Sequence, residues 1–267
     1  MNELHSPTPR LIGTIDGPVG RMVFNNPERR NALSLDMWQA IPVLLDQFEA
    51  EPALRVLVLE GAGGKAFIAG ADISEFESAR AAPAAIQQYD EIAERAMSRL
   101  QNSALPTIAA IRGFCIGGGV GVSLVCDLRL AAESARFAIP AARLGLGYRW
   151  GGVKKLADLV GPAFAKEIFF TARQFSAAEA QSMGLINRAV PEPEFDTLVA
   201  SYCAMIAENA PLTVQAVKGV VTELGKPGAE IDRARAEALV ARCFASEDYV
   251  EGRRAFMEKR KPVFRGK

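Results

Sequence analysis

The chain has 267 residues, 49% hydrophobic and 23% charged, enough to bury the core of one large domain or one domain with a smaller appendage. Its 31 basic and 31 acidic residues cancel, so no global charge draws it to nucleic acid or an anionic membrane. The one histidine, His5, lies in a polar N-terminal segment expected to be mobile; with none in the body of the chain, histidine-based triads and typical zinc sites are not expected.

In chain order, "RLIGTIDGPVGRMVFN" reads as two strands joined at Asp16-Gly17, a hairpin signal. Ser34 then caps a predicted helix running to about Glu49, with Met37, Ile41, Leu44, Leu45 and Phe48 on its buried face. "RVLVLEG" is a buried strand followed by the glycine loop Gly61 to Gly64. Ala84 to Asn102 has amphipathic helical spacing, and "LPTIAAIRG" is another buried strand. The run Gly117 to Gly119 launches a helix at "VGVSLVCD", and "LRLAAESARFAIP" has strand character. Beyond Gly151 helices are predicted at Val153–Val160, Ala163–Ala172 and Ala177–Met183, then a short strand at "INRAV". From Glu194 onward the pattern is helical and charged, ending in the basic tail "EKRKPVFRGK". Strand–helix alternation followed by a helical section implies an α/β core with an α appendage.

The first ten residues lack the apolar stretch of a secretory signal, and the run Cys115 to Cys126 is too short to span a bilayer. Cys115, Cys126, Cys203 and Cys243 are widely spaced with no CxxC, and are expected as buried reduced thiols suited to the cytoplasm.

Two glycine-rich places need an explanation. Gly61-Ala62-Gly63-Gly64-Lys65-Ala66 formally matches GxGxxG/A after a strand. A dinucleotide fold would need an acid ending a second parallel strand near position 85, where a helix begins instead. Gly64-Lys65 likewise lacks the earlier glycine and the following Ser/Thr of a phosphate-binding loop. Gly117-Gly118-Gly119 suits close helix–strand packing, and also a helix N-terminus whose free N–H groups face an anion. "AGADI" offers the same at Gly70 and Ala71, before a helix expected to begin at Asp72. Two such amides aimed at one point make an oxyanion hole; composition cannot show that they converge.

The stretches "GGKAFIAGADISEF" and "AAIRGFCIGGGVGVSLVCDLRLAAESARFAIP" together resemble the crotonase (enoyl-CoA hydratase/isomerase) superfamily. "NNPERRNALSLDM", "TARQFSAAEAQSMGLINRAVP" and "SEDYVEGRRAFMEKRKPVF" do so as well, in the right order over nearly the whole chain. The resemblance implies a spiral of β-β-α units over residues 1–195 and a C-terminal helical section, 196–267, that assembles trimers or dimers of trimers. It implies an acyl-CoA thioester as substrate, CoA arriving with it rather than as a bound cofactor, and no metal. By the same resemblance the oxyanion donors are the amides of Ala71 and Gly118. Contacts to CoA fall to Lys65, Ala66, Ala69, Asp72 and Ile73, with Arg30 as a further phosphate neighbour. Phe256 and Lys259 reach the nucleotide from the C-terminal helix, often across a subunit boundary; simple helix packing and a solvated basic tail are their plainer readings. Asp72 and Glu75 also suit the first turn of a helix.

The chain departs from the pattern where hydratases carry two glutamates: those positions hold Gly121 and Ala141. Water addition by the usual route then lacks its proton carriers, each worth typically ~10²–10⁴-fold. Tyr148, eleven residues after Phe137, matches a tyrosine in the methylmalonyl-CoA decarboxylase-like branch, with Arg143, Arg149 and Trp150 nearby. An arginine there can clamp a substrate carboxylate, or simply lie in solvent. Three readings stand: an enolate-stabilising acyl-CoA enzyme, a carboxyacyl-CoA decarboxylase-like lyase using Tyr148, and a silent acyl-CoA binder in which Tyr148 only shapes the pocket rim.

Overall fold

The computed structural model describes residues 2–72 and 83–267. Strand β1 (Asn2–Glu3) pairs antiparallel with β2 (Leu11–Asp16), which turns through Gly17 (φ 55°) into β3 (Val19–Phe24). The predicted hairpin is present, and positive φ explains the glycine at its turn. The N-terminal segment, expected to be mobile, is instead tied down. It adds an edge strand, and the His5 amide and carbonyl both bond the side chain of Gln47.

Helix α1 (Leu35–Glu49) buries the five predicted apolar side chains and adds Trp38 and Ala40. At about 1.5–3 kcal/mol for each large side chain buried, this face dominates the helix's contribution. Ser34 occupies the N-cap position, but its hydroxyl donates to Asp36, whose carboxylate takes the Met37 amide at 2.9 Å.

From here each turn of the chain lays one strand in a large sheet and the next in a small one. Strand β4 (Val56–Gly61) enters the large sheet and β5 (Ala66–Ile68) the small one; α2 (Pro83–Gln101) packs on α1. Then β6 (Thr107–Ile111) and β7 (Phe114–Ile116) lead into α3 (Gly118–Val125), and β8 (Leu128–Ala132) and β9 (Arg136–Ala138) precede α4 (Trp150–Thr171). Strand β10 (Phe175–Ser176) joins the small sheet, and after α5 (Ala177–Ser182), β11 (Arg188–Val190) closes the large one. The orders are β1-β2-β3-β4-β6-β8-β11 and β10-β9-β7-β5, parallel from β3 to β11 and from β9 to β5. This is the spiral of β-β-α units that the resemblance implies.

Strand periodicity fills both faces of the large sheet. Leu57, Leu59, Ala109 and Ile111 face the main core with α1 and α2; Val56, Val58, Ile108 and Ala110 face α6 (Phe195–Ala207) through Phe195, Val199 and Cys203. The first two of the three helices predicted after Gly151 form one element, α4, broken at Gly161, whose φ 78°, ψ 162° only glycine adopts without strain. Helices α7 (Pro211–Leu224), α8 (Arg233–Phe244) and α9 (Glu247–Met257) complete the C-terminal section. Cys115, Cys126 and Cys203 are buried, whereas Cys243 is half-buried; all are free thiols. Among the described residues no helix is long and apolar enough to cross a membrane.

Candidate active site

The spiral brings the two glycine-rich loops side by side. Strand β5 leads on to Gly70 and Ala71, and the neighbouring β7 leads into Gly117, the residue before α3. A methyl group placed on Gly118 would lie 3.8 Å from the Gly70 carbonyl carbon, the atom bonded to the Ala71 nitrogen. One placed on Gly119 would lie 2.2 Å from the Ile68 carbonyl oxygen, so only a bare backbone lets α3 approach β5 this closely.

The amides at this junction have defined directions. The Leu33 amide donates to the Gly70 carbonyl and the Asp72 amide to the Leu33 carbonyl, both at 2.8 Å. Successive N–H groups of an extended segment point to opposite sides, so the Ala71 N–H is turned away from Leu33. Gly117, at φ 54°, donates to Ala138, and Gly118 begins the helix, where N–H groups have no partner within the helix. Neither the Ala71 nor the Gly118 amide donates to a group among the described residues.

Of the residues expected at CoA, five gather beside these loops. The Ala69 amide donates to the Arg30 carbonyl at 3.1 Å, and the Arg30 guanidinium lies 5.0 Å from the centre of the Phe114 ring. The Phe114 amide in turn donates to the Lys65 carbonyl at 3.2 Å, leaving the Lys65 ammonium exposed. Ala66 is buried, its carbonyl accepting from Asn31 at 2.8 Å. Asp72 is buried too, and its carboxylate pairs with Arg29 at 2.8 Å. Ile73 and Glu75 lie outside the described residues. Among the described residues, Phe256 and Lys259 make no bond to these loops. Phe256 lies in the last turn of α9 and Lys259 just beyond it; α9 packs on α8 and on the chain's own C-terminal tail, and Phe256 is 82% exposed.

Alongside α4 and the segment that precedes it lies an apolar groove of about 450 Å³. Ala141, Leu146 and Tyr148 line one side, and Val153, Ala165 and Phe169 of α4 the other. Tyr148 stacks edge-on against Phe169 at 4.8 Å, and burial pushes its phenol up to about 12, so it is neutral at physiological pH. Among the described residues, no carboxylate lines the groove. A side chain at Gly121 would begin 3.7 Å from the Met97 sulfur, an ordinary contact. The Arg149 guanidinium is held by Asp90 at 2.6 and 3.1 Å. Arg143 and Trp150 are exposed, Trp150 by 82%.

Three polar residues that organise this region escaped the sequence reading. Asn31, fully buried at φ 57°, donates to the Ala62 and Ala66 carbonyls and accepts the Asn26 amide, locking the loop before α1 to the glycine loop and β5. Asparagine is one of the few residues at ease there, so its place in "ERRNAL" was the available signal. Arg29 pairs with Asp72 across 43 positions of sequence, and Arg129 is buried behind α3; no local pattern marks either.

Comparison with known proteins completes the picture. A family profile described as "Enoyl-CoA hydratase/isomerase" matches residues 14–267. The chain is similar to the crotonyl-CoA hydratase of Syntrophomonas wolfei, 34% identical over 247 residues, 91% of this chain and 93% of that protein. It is similar to the short-chain-enoyl-CoA hydratase of Clostridium acetobutylicum, 32% identical over 92% of this chain and 94% of that protein. Among solved structures, an enoyl-CoA hydratase/isomerase family protein from Hyphomonas neptunium superposes with a TM-score of 0.91 at 39% identity, covering 98% of this chain and all of that one.

Proposed function

The chain belongs to the enoyl-CoA hydratase/isomerase family, and from that premise we propose that it processes an acyl-CoA thioester by holding an enolate between the amides of Ala71 and Gly118. The observation that supports this most is the pairing, on adjacent loops, of two amides that donate to no group among the described residues. The thioester oxygen accepts from both N–H groups, and as negative charge develops on it each bond strengthens. Losing one such donor costs typically ~3–4 kcal/mol of transition-state stabilisation. Lys65, Arg30 and the backbone at Ala66, Ala69, Asp72 and Ile73 hold CoA, and the acyl group lies along Ala141, Tyr148 and Phe169.

The bare positions Gly121 and Ala141 argue for chemistry other than the water addition named for the relatives. Among the described residues no carboxylate lines the groove, so none of them there carries a proton to or from water in the usual way. A second reading, decarboxylation of a carboxyacyl-CoA, is favoured by Tyr148, a neutral phenol facing the same groove as Ala141. There the bond from Cα to the carboxylate breaks, its electron pair becomes the enolate, and carbon dioxide leaves. A proton from the Tyr148 phenol or solvent then adds to Cα, with no general base required.

Turnover of crotonyl-CoA and methylmalonyl-CoA by the purified protein distinguishes these readings. We expect crotonyl-CoA hydration slower than an ordinary hydratase by orders of magnitude; hydration at an ordinary rate overturns the argument from the missing glutamates. Carbon dioxide release from methylmalonyl-CoA that Tyr148→Phe leaves unchanged removes the residue from the second reading. Tight CoA-thioester binding with turnover of neither points to a silent binder.

A further inference from the structure

Arg129, on β8 just beyond the end of α3, is only 6% exposed, yet none of its bonds goes to a carboxylate. Its Nη1 donates to the carbonyls of Ser123 at 3.1 Å and Cys126 at 2.7 Å, and its Nε to that of Leu185 at 2.9 Å. The Arg129 backbone is clamped as well, its amide to the Asn187 side chain and its carbonyl to the Asn187 amide. Asp127, the acid closest in sequence, is committed to Lys218 and to the amide and hydroxyl of Thr107. Burying a guanidinium costs several kcal/mol, and an aliphatic side chain would fill the strand position without that cost.

What the cation does is visible in its partners. Ser123 and Cys126 carry the carbonyls at the C-terminal end of α3, which a helix cannot satisfy by itself and where a positive charge is favoured. Leu185 and Asn187 lie in the segment leading into β11, at the edge of the large sheet. Arg129 therefore fastens the far end of α3 to the sheet. The helix has eight residues, so its two ends are about 12 Å apart at ~1.5 Å per residue. At the near end stands Gly118. A segment this short moves as a unit, and a slip at one end is passed to the other.

We propose that Arg129 is a positioning residue for the oxyanion donors: by gripping the last carbonyls of α3 it fixes the Gly118 amide against that of Ala71. This rests on the enolate reading above. A donor must sit about 2.7–3.1 Å from the oxygen it stabilises, so a shift of a few tenths of an ångström is felt there while the rest of the CoA contacts persist.

The test uses the full chain and an unreactive chromophoric thioester, 4-dimethylaminocinnamoyl-CoA, whose absorption moves to longer wavelength when its carbonyl is polarised. The wild type is expected to bind it with a red shift. Arg129→Met is expected to keep its dissociation constant within about threefold and lose half or more of the shift, because the grip acts on polarisation rather than on uniform binding. Circular dichroism identifies variants that fold. An undiminished red shift in folded Arg129→Met overturns the proposal. Should that variant not fold, Arg129→Lys, which keeps the charge but not the fork that spans both elements, decides on the same criterion. Tight binding with no red shift in the wild type itself overturns the enolate reading, and this proposal with it.

Discussion

At the scale of single residues, Gly121 and Ala141 are the two positions where the carboxylates of the hydratase pattern are missing. Gly121 is inside α3, and its side chain would begin 3.7 Å from the Met97 thioether, a flexible neighbour. Ala141 lines the groove itself, opposite α4. The double variant Gly121→Glu, Ala141→Glu should therefore fold, and α3 gains by exchanging a glycine for a good helix former, worth roughly 0.5–1 kcal/mol. If the amides of Ala71 and Gly118 already form a working oxyanion hole, the added acids supply the missing proton carriers. Crotonyl-CoA hydration should then rise by about 10²-fold or more over the wild type. A folded double variant that binds crotonyl-CoA without any gain would show that more than these two carboxylates separates this chain from a hydratase.

At the scale of elements, α1 and α2 pack together and are joined through Arg99 of α2, which bonds both Asp46 and Glu49 of α1. Burial alone would raise the Glu49 carboxyl. Bonds from Arg99 at 2.6 and 3.0 Å, from Ser103 at 2.7 Å and from the Ala104 amide at 3.1 Å together hold it below the ordinary glutamate range. A carboxyl depressed on folding contributes its stability in full above its unfolded value, about 4.3, and loses it as pH falls through the lower folded value. Glu49→Gln should cost about 1–2 kcal/mol near pH 7, and denaturant melts should show that gap closing below about pH 4. A gap that stays constant into acid would mean the pair contributes only shape. Elements of this kind were largely legible from sequence: the buried face of α1, the hairpin at Gly17 and the runs that became β4 and β6 each obey a local period. Pairings across long separations were not. The split of alternate strands between two sheets, the tie of His5 to Gln47, and the grips of Arg29 on Asp72 and of Arg129 on α3 depend on residues far apart in the chain. The site divides the same way. Its bare glycines were visible as composition, whereas their approach to each other depends on β5 and β7 lying side by side.

At the scale of the molecule, the C-terminal section leaves an apolar surface that a single chain does not cover. Phe244, Val250, Phe256 and Met257 of α8 and α9 are each more than 60% exposed, and Val221 and Leu224 of α7 add to them. Exposed apolar side chains in such number mark a contact surface, and a formal net charge of zero puts no global repulsion in the way of self-association. Two residues expected at CoA, Phe256 and Lys259, stand on this same section, and among the described residues neither bonds the loops at residues 65–72 or 117–118. We propose one arrangement for both: copies of the chain assemble through α8 and α9, and the helix end of one copy completes the CoA site of the next. Sedimentation should then give three times the 28.7 kDa chain mass, or twice that again. Phe244→Asp with Val250→Asp, which touches none of the proposed CoA contacts, should yield smaller species whose affinity for an acyl-CoA falls along with the loss of assembly. A wild-type chain that sediments alone at micromolar concentration and still binds acyl-CoA would leave Phe256 and Lys259 without a partner to reach, and the exposed face without the role assigned to it.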